Sequence, residues 1–289
     1  MLDWLKTIPQ YLIPQHLLSR LFGVFANSKT AWFKNALIHC FIKVYQVNMQ
    51  EALQPNPQAY PDFNHFFIRH LNPDARQCIA GDDNIACPVD GAISQVGHLS
   101  SGQLVQAKGR QYSLVELFAG LHVDSEPFVG GHFATIYLAP KDYHRIHMPC
   151  AGTLKKMIYV PGKLFSVNPT TVRTVPKLFA RNERVICLFD TALGPMAMIL
   201  VGATIVASIA TVWHGTVTPP TGHTIHQWNY PNPNTQAITL AKGDEMGHFK
   251  LGSTVIVLFA NQRIQWQAQL KADSPVRLGE GLANIASAE

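Results

Sequence analysis

Leu193–Trp213 reads LGPMAMILVGATIVASIATVW, and the fold turns on what this stretch is. It is 21 residues long and mostly apolar, and ~20 apolar residues suffice to span a bilayer as a helix. It lies within Thr191–Ala241, which contains no Asp, Glu, Lys or Arg. Against a lipid-facing helix stand Gly194-Pro195, Gly202, Thr204, Ser208 and Thr211, and a high content of Val and Ile. β-branched residues interrupted by glycine suit two buried strands, broken near Gly202.

The flanking sequence repeats that pattern. His132–Leu138 (HFATIYL), Thr153–Val160, Arg184–Asp190, Met196–Val201, Ala203–Trp213 and Thr254–Ala260 are short runs rich in β-branched or aromatic residues. Pro149, Gly152, Pro161-Gly162, Pro219-Pro220, Pro231 and Pro233 punctuate them. This predicts a mostly-β body of short strands and tight turns. Tyr112–Ala119 predicts a short helix, with Ser113 as N-cap and Glu116 three residues on. Pro219–Gln236 reads as a long polar loop carrying Trp228 and Tyr230.

The N-terminus differs. In Ala31–Tyr45, Phe33, Leu37, Cys40, Phe41 and Val44 recur at helical spacing, with Lys34, Asn35 and His39 mostly off that stripe. Leu17, Leu18, Leu21, Phe22 and Phe25 form a similar stripe beside Arg20. Residues 1–50 hold five basic groups and one acid, whereas the rest holds 18 basic and 17 acidic groups. Basic amphipathic helices either lie in an anionic membrane surface or pack on the protein's own core. QPNPQAYP, with Pro55, Pro57 and Pro61, marks the boundary. The expected organisation is therefore α+β: an amphipathic helical segment, 1–54, and a mostly-β body, 55–289.

At 47% apolar and 14% charged the chain of 289 residues can bury a large core, which excludes disorder and coiled coil. A net charge of +5 does not suggest a nucleic-acid partner. The five cysteines are odd in number and lack CxxC spacing, which fits a reducing compartment without zinc knuckles. The N-terminus lacks signal-peptide features, so a cytoplasmic location is expected.

Four local features carry possible chemistry. Gly252-Ser253 precedes an apolar strand and sets a small hydroxyl at a permissive backbone position; a turn serine is the plain alternative. DYHRIHMPC holds Asp142, His144 and His147, bracketed by Pro140 and Pro149, which argues for an irregular loop. These groups suit either metal ligation or general acid–base work. In CPVDGAISQVG, Asp90 is either a turn residue or a carboxylate that orients an imidazole. Finally, YVPGKLFSVNP (Gly162, Ser166, Asn168) precedes a dense polar cluster, Arg181–Arg184, which is either an ion-paired turn or a ligand site.

Taken together, KLGST, HRIHMPC, PVDG, FSVN and RNERV, in this order and spacing, resemble the bacterial phosphatidylserine decarboxylases, from the N-terminal helices to about residue 270. One departure is Val89, where a smaller residue is expected before the aspartate. The resemblance implies a pyruvoyl-dependent lyase that makes its cofactor from its own chain. Ser253 would attack the carbonyl of Gly252, and elimination would then split the chain into residues 1–252 and a 37-residue fragment, 253–289, headed by the pyruvoyl group. His147 would act as base with Asp90 orienting it, and His144 would protonate the product carbon. The substrate amine would form a Schiff base with the pyruvoyl carbonyl. No metal is implied.

The same resemblance implies phosphatidylserine and an anionic membrane surface as partners. The two fragments would stay together, on the cytoplasmic face of the membrane, and a homo-oligomer is compatible with this. Arg181, Arg184 and the Gly162–Asn168 loop are candidates for the lipid phosphate. A single span at 193–213 would separate His147 from Ser253 and conflicts with this reading.

Rival readings are a lipid-acting serine hydrolase using an unprocessed Ser253-His147-Asp90 triad, without a GxSxG elbow; a metal hydrolase on Asp142, His144 and His147; a carrier-like binding module around KGDEMGHFKLGSTVIVLF; and a pyruvoyl decarboxylase of a soluble amino acid.

Overall fold

Leu193–Trp213 folds as strands. In the computed structural model, which describes residues 7–107, 109–204, 208–218, 224–231, 236–250, 253–260 and 262–286, Gly194–Val201 and Ile209–Thr211 are separate strands on either side of Gly202. No helix among the described residues is long and apolar enough to cross a membrane.

The principal helices are α1 (Gln15–Ala26), α2 (Ala31–Tyr45) and α3 (Phe63–Phe67). The strands around the site are β1 (Gly91–His98), β2 (His132–Leu138), β3 (Arg145–His147), β4 (Gly152–Val160), β5 (Arg184–Thr191), β6 (Gly194–Val201), β7 (Ile209–Thr211), β8 (Gly215–Thr216), β9 (His226–Asn229), β10 (Glu245–Phe249), β11 (Ser253–Phe259) and β12 (Pro275–Val276). The large antiparallel sheet runs β9-β4-β5-β6-β11-β2-β1-β12. A smaller sheet runs β8-β7-β10-β3.

Strand β11 lies between β2 and β6, with Ser253 opposite Leu138 and Thr254 opposite Val201. It is buried along its length, which explains why STVIVLF shows no polar alternation. Side chains alternate across a strand, and this one divides two cores. Val255, Val257 and Phe259 join Ile146, Ile209, Met246 and Phe249 of the small sheet. Ile256 and Leu258 join Phe165, Val172, Phe179 and Phe118 on the other face.

The helical segment forms a third core, in which Ile38 of α2 packs with Phe63, Phe66 and Phe67. Here the expected stripe is only partly right. Lys34 is buried and its Nζ donates to Asn35 Oδ1 and Gln58 O, while Val44 remains exposed. Helix α1 exposes Leu17, Leu21, Val24 and Phe25. The segment is tied to the body by side-chain amides: Gln15 Oε1 accepts from Leu164 N at 2.7 Å and Gln10 Oε1 from Ser166 N at 2.9 Å.

Three further expectations change. The segment around His144–His147 is not wholly irregular, because Arg145–His147 pairs with Glu245–Phe249. The loop from 219 to 236 contains β9, which pairs with β4; positions 219–223 and 232–235 lie outside the described residues. The helix expected over Tyr112–Ala119 is shorter, Leu114–Leu117, but it begins with the capping box of Ser113 and Glu116.

Candidate active site

Ser253 opens β11 and is wholly buried, and its Oγ has no hydrogen-bond partner among the described residues. Alternation puts its side chain on the face shared with Val255 and Val257, toward the small sheet. A buried hydroxyl without a partner costs about 1–3 kcal/mol. Gly252, the expected cleavage partner, lies outside the described residues.

His144 immediately precedes β3, and its main-chain oxygen accepts from Phe249 N at 3.0 Å, which locks the residue onto the small sheet. Its ring is fully buried against Phe67, with centroids 4.3 Å apart. Nδ1 faces Asp142 O at 2.9 Å and must therefore donate. That leaves Nε2 as an unprotonated lone pair, and it has no partner. Burial drives this imidazole's pKa down to about 3. At neutral pH His144 is an uncharged base with a free nitrogen.

His147 ends β3 on the opposite face from Ile146. Nδ1 donates to Gly243 O at 2.8 Å, and Nε2 accepts from the Tyr143 hydroxyl at 3.3 Å. Burial lowers its pKa, opposed by the Gly243 contact and by Glu245. Its ring lines a cavity of about 270 Å³ with Tyr143, Arg76 and Cys78.

Asp90 is held before β1 by Gly91, where a Cβ would come within 2.3 Å of Tyr137 O. Its Oδ1 accepts from Arg76 Nε and from Leu278 N, both at 2.9 Å. It lines a second cavity, of about 490 Å³, with Tyr143, Asp142 and Arg76. The negative charge of Asp90 raises the pKa of both histidines, in opposition to burial.

Asp90 and His147 are neighbours, His147 N donating to Pro88 O at 2.9 Å, whereas Ser253 lines neither cavity, and no hydrogen bond joins the three among the described residues. Tyr143 and Arg76 line both cavities and stand between His147 and Asp90. Neither was singled out from sequence. Tyr143 sits inside the quoted DYHRIHMPC, but Arg76 is fourteen positions from Asp90 with no motif to mark it.

The other candidates fill structural roles. Asp142 Oδ2 accepts from Ala139 N at 2.7 Å, which caps the turn. No cluster of three His, Cys, Asp or Glu able to hold a metal exists among the described residues. Arg184 is buried, and its guanidinium donates to the carbonyls of Leu117, Ala180, Asn182 and Glu116. Four of its five N–H donors go to backbone and the side chain is buried, so it is poorly placed to take a lipid phosphate. Arg181 stacks over Phe165 at 4.8 Å and Tyr11 at 5.7 Å. Asn168 caps the helix Pro169–Thr174.

Comparison with known proteins gives a consistent result. A family model described as phosphatidylserine decarboxylase matches residues 63–284, and one described as PSD matches residues 5–46. The phosphatidylserine decarboxylase proenzyme of Idiomarina loihiensis is 56% identical over 283 residues, covering 98% of this chain and 97% of that protein. Those of Photobacterium profundum and Pseudoalteromonas translucida are 54% and 55% identical and cover 99% of each relative. With these matches spanning both the helical segment and the sheet body, the chain belongs to the phosphatidylserine decarboxylase family.

Proposed function

We propose that this protein removes CO₂ from phosphatidylserine to give phosphatidylethanolamine, using a pyruvoyl group made from its own Ser253. The observation that carries the proposal is that Ser253 Oγ and His144 Nε2 are both buried and that neither has a hydrogen-bond partner among the described residues. A hydroxyl kept for structure is hydrogen-bonded when buried; one kept for chemistry need not be.

In the self-cleavage, His147 takes the hydroxyl proton, and Asp90 stabilises the resulting imidazolium. Ser253 Oγ bonds to the Gly252 carbonyl carbon as the peptide C–N bond breaks, giving an ester. Elimination across Cα and Cβ of Ser253 releases the Gly252 carboxylate, and water displaces ammonia from the resulting enamine to leave the ketone. His147, kept largely neutral by burial, suits the role of base. It must first exchange its contact with Tyr143.

The pyruvoyl group supplies an electron sink for decarboxylation through a Schiff base with the substrate amine. His144 first takes a proton on its free Nε2 in the substrate complex and then delivers it to the substrate carbon. The small fragment, 253–289, contributes the central strand β11, so it remains bound to the large one through the ladders to β2 and β6.

Residues 1–54 serve as the lipid-contacting segment and 55–289 as the catalytic body, at the cytoplasmic face of the membrane. Exposed Leu17, Leu21, Val24 and Phe25 on α1 and Trp32 on α2 supply the apolar surface. Mass analysis of the denatured protein tests the reading. A fragment starting at residue 253 with a blocked, pyruvoyl end is expected, and Ser253→Ala and His147→Ala should each leave an inactive full-length chain. Cleavage persisting in Ser253→Ala would refute it.

A further inference from the structure

Between α1 and the small sheet lies a cavity of about 330 Å³ that none of the roles above uses. Arg20, His16, Lys250, Ser208, Asn64 and Glu183 line it. Neither Arg20 nor Lys250 forms an ion pair with any described residue. His16 is committed to Gly162 O at 3.0 Å. Glu183 brings one acid, and its carboxylate accepts from the Tyr159 hydroxyl at 2.9 Å. The cavity therefore carries an excess of positive charge.

Two wall atoms are buried and unsatisfied. Ser208 is 5% exposed and its Oγ has no partner; Asn64 is 4% exposed and its Oδ1 has none. Such atoms mark a place where an outside molecule completes the hydrogen bonding. The missing partners are an acceptor for the serine hydroxyl and a donor for the amide oxygen. A phosphodiester oxygen supplies the acceptor, and its negative charge matches the two cations.

The elements that line the cavity are also joined to those that hold His144. Lys250 N donates to Ser208 O, and the preceding residue, Phe249, donates its N–H to His144 O. Asn64 lies three positions before Phe67 on α3, on the same helical face, and Phe67 carries the His144 ring. In phosphatidylserine three single bonds, roughly 4 Å, separate the reacting carbon from phosphorus. On the outer side, Val24 lines the cavity and belongs to the exposed apolar face of α1, where acyl chains would lie.

We propose that this cavity holds the phosphodiester of the lipid substrate, with Arg20 and Lys250 taking the negative charge and Ser208 Oγ donating to a phosphate oxygen. The proposal rests on the decarboxylase reading for the identity of the lipid. Its test therefore includes binding measured without turnover. Deacylated substrate, glycerophosphoserine, is titrated calorimetrically, in the uncut Ser253→Ala background that cannot decarboxylate it, into the otherwise wild-type chain and into Arg20→Gln, Arg20→Lys and Ser208→Ala. Kinetics in mixed micelles of phosphatidylserine follow.

Losing a charge-assisted contact should weaken binding and raise KM roughly tenfold in Arg20→Gln, with kcat falling much less. Arg20→Lys should recover part of the loss. Ser208→Ala should weaken binding several-fold while the thermal midpoint holds, which shows that the fold is intact. Inorganic phosphate serves as the second probe and should bind far more weakly than glycerophosphoserine. Equal binding by phosphate, unchanged KM and affinity in both Arg20→Gln and Ser208→Ala, or no binding to the otherwise wild-type chain overturns the site. Binding lost in Arg20→Gln together with a wild type inert toward phosphatidylserine would keep the site and overturn the decarboxylase reading instead.

Discussion

Arg76 grips both carboxylate oxygens of Asp90, with Nε on Oδ1 at 2.9 Å and Nη2 on Oδ2 at 2.5 Å, and its Nη2 also reaches Glu51 at 2.8 Å. A half-buried guanidinium thus ties the carboxylate expected to serve His147 to the segment that follows α2. Removing one partner of such a buried pair typically costs about 3–5 kcal/mol. Because Asp90 stays buried, it then turns to the remaining cations whose charge it already influences, Arg69 and protonated His147. Arg76→Gln is expected to lower the urea midpoint and at the same time speed self-cleavage. The time course of fragment appearance after synthesis checks this; slower cleavage would mean that Arg76 orients Asp90 rather than restraining it.

The buried imidazole of His144 makes stability depend on pH with a definite sign. Its folded pKa, about 3, lies below the ordinary value near 6.5. The unfolded chain therefore binds the extra proton across that window. Stability from this group is complete above about pH 6.5 and is lost as pH falls toward 3, by about 2 kcal/mol between pH 7 and pH 5. Urea unfolding of an uncut Ser253→Ala background at both pH values should show this loss. Adding His144→Phe should shrink it by about that amount, because the phenyl ring keeps the packing on Phe67 without titrating. An unchanged pH slope would contradict the burial argument.

Tyr143 donates to His147 Nε2 at 3.3 Å, and a bond to that nitrogen favours the neutral ring. Tyr143→Phe removes it and should raise the His147 pKa. The acid limb of the cleavage-rate profile should then move to higher pH, by less than about one unit. If the limb stays in place, the Tyr143 contact is unimportant in the reacting conformation.

The amount of this that sequence could show varies by element. His132–Leu138 was legible because β-branched and aromatic residues lie between glycine and proline breaks, and the strand spans those same residues. The capping box of Ser113 and Glu116 was legible because its chemistry is local. Arg145–His147 was not: Pro140 and Pro149 suggested a loop, and the strand exists because Glu245–Phe249, a hundred residues away, pairs with it. For the same reason the quoted motifs gave Asp90, His144, His147 and Ser253 but not Arg76, whose importance comes from a tertiary ion pair. Arg184 looks available as a charged residue in a polar cluster, whereas it is buried and four of its five donors go to backbone carbonyls.

For membrane contact, point changes on α1 are a better probe than truncation. Gln10 and Gln15 hold the N–H groups of Ser166 and Leu164, so deleting the segment would strip two hydrogen bonds from the body, one of them buried, and confuse misfolding with lost lipid affinity. Val24 is 70% exposed and Leu21 51%, so polar replacements there leave the folded core alone. Each apolar side chain withdrawn from lipid forfeits about 1.5–3 kcal/mol. Leu21→Ser with Val24→Ser should therefore cut sedimentation with anionic vesicles at least tenfold, while self-cleavage proceeds and the thermal midpoint holds. As a contrast, Ile38→Ser, at a fully buried position of α2, should lower the thermal midpoint instead. Vesicle binding that survives the α1 double change would place the lipid-contacting surface elsewhere on the molecule.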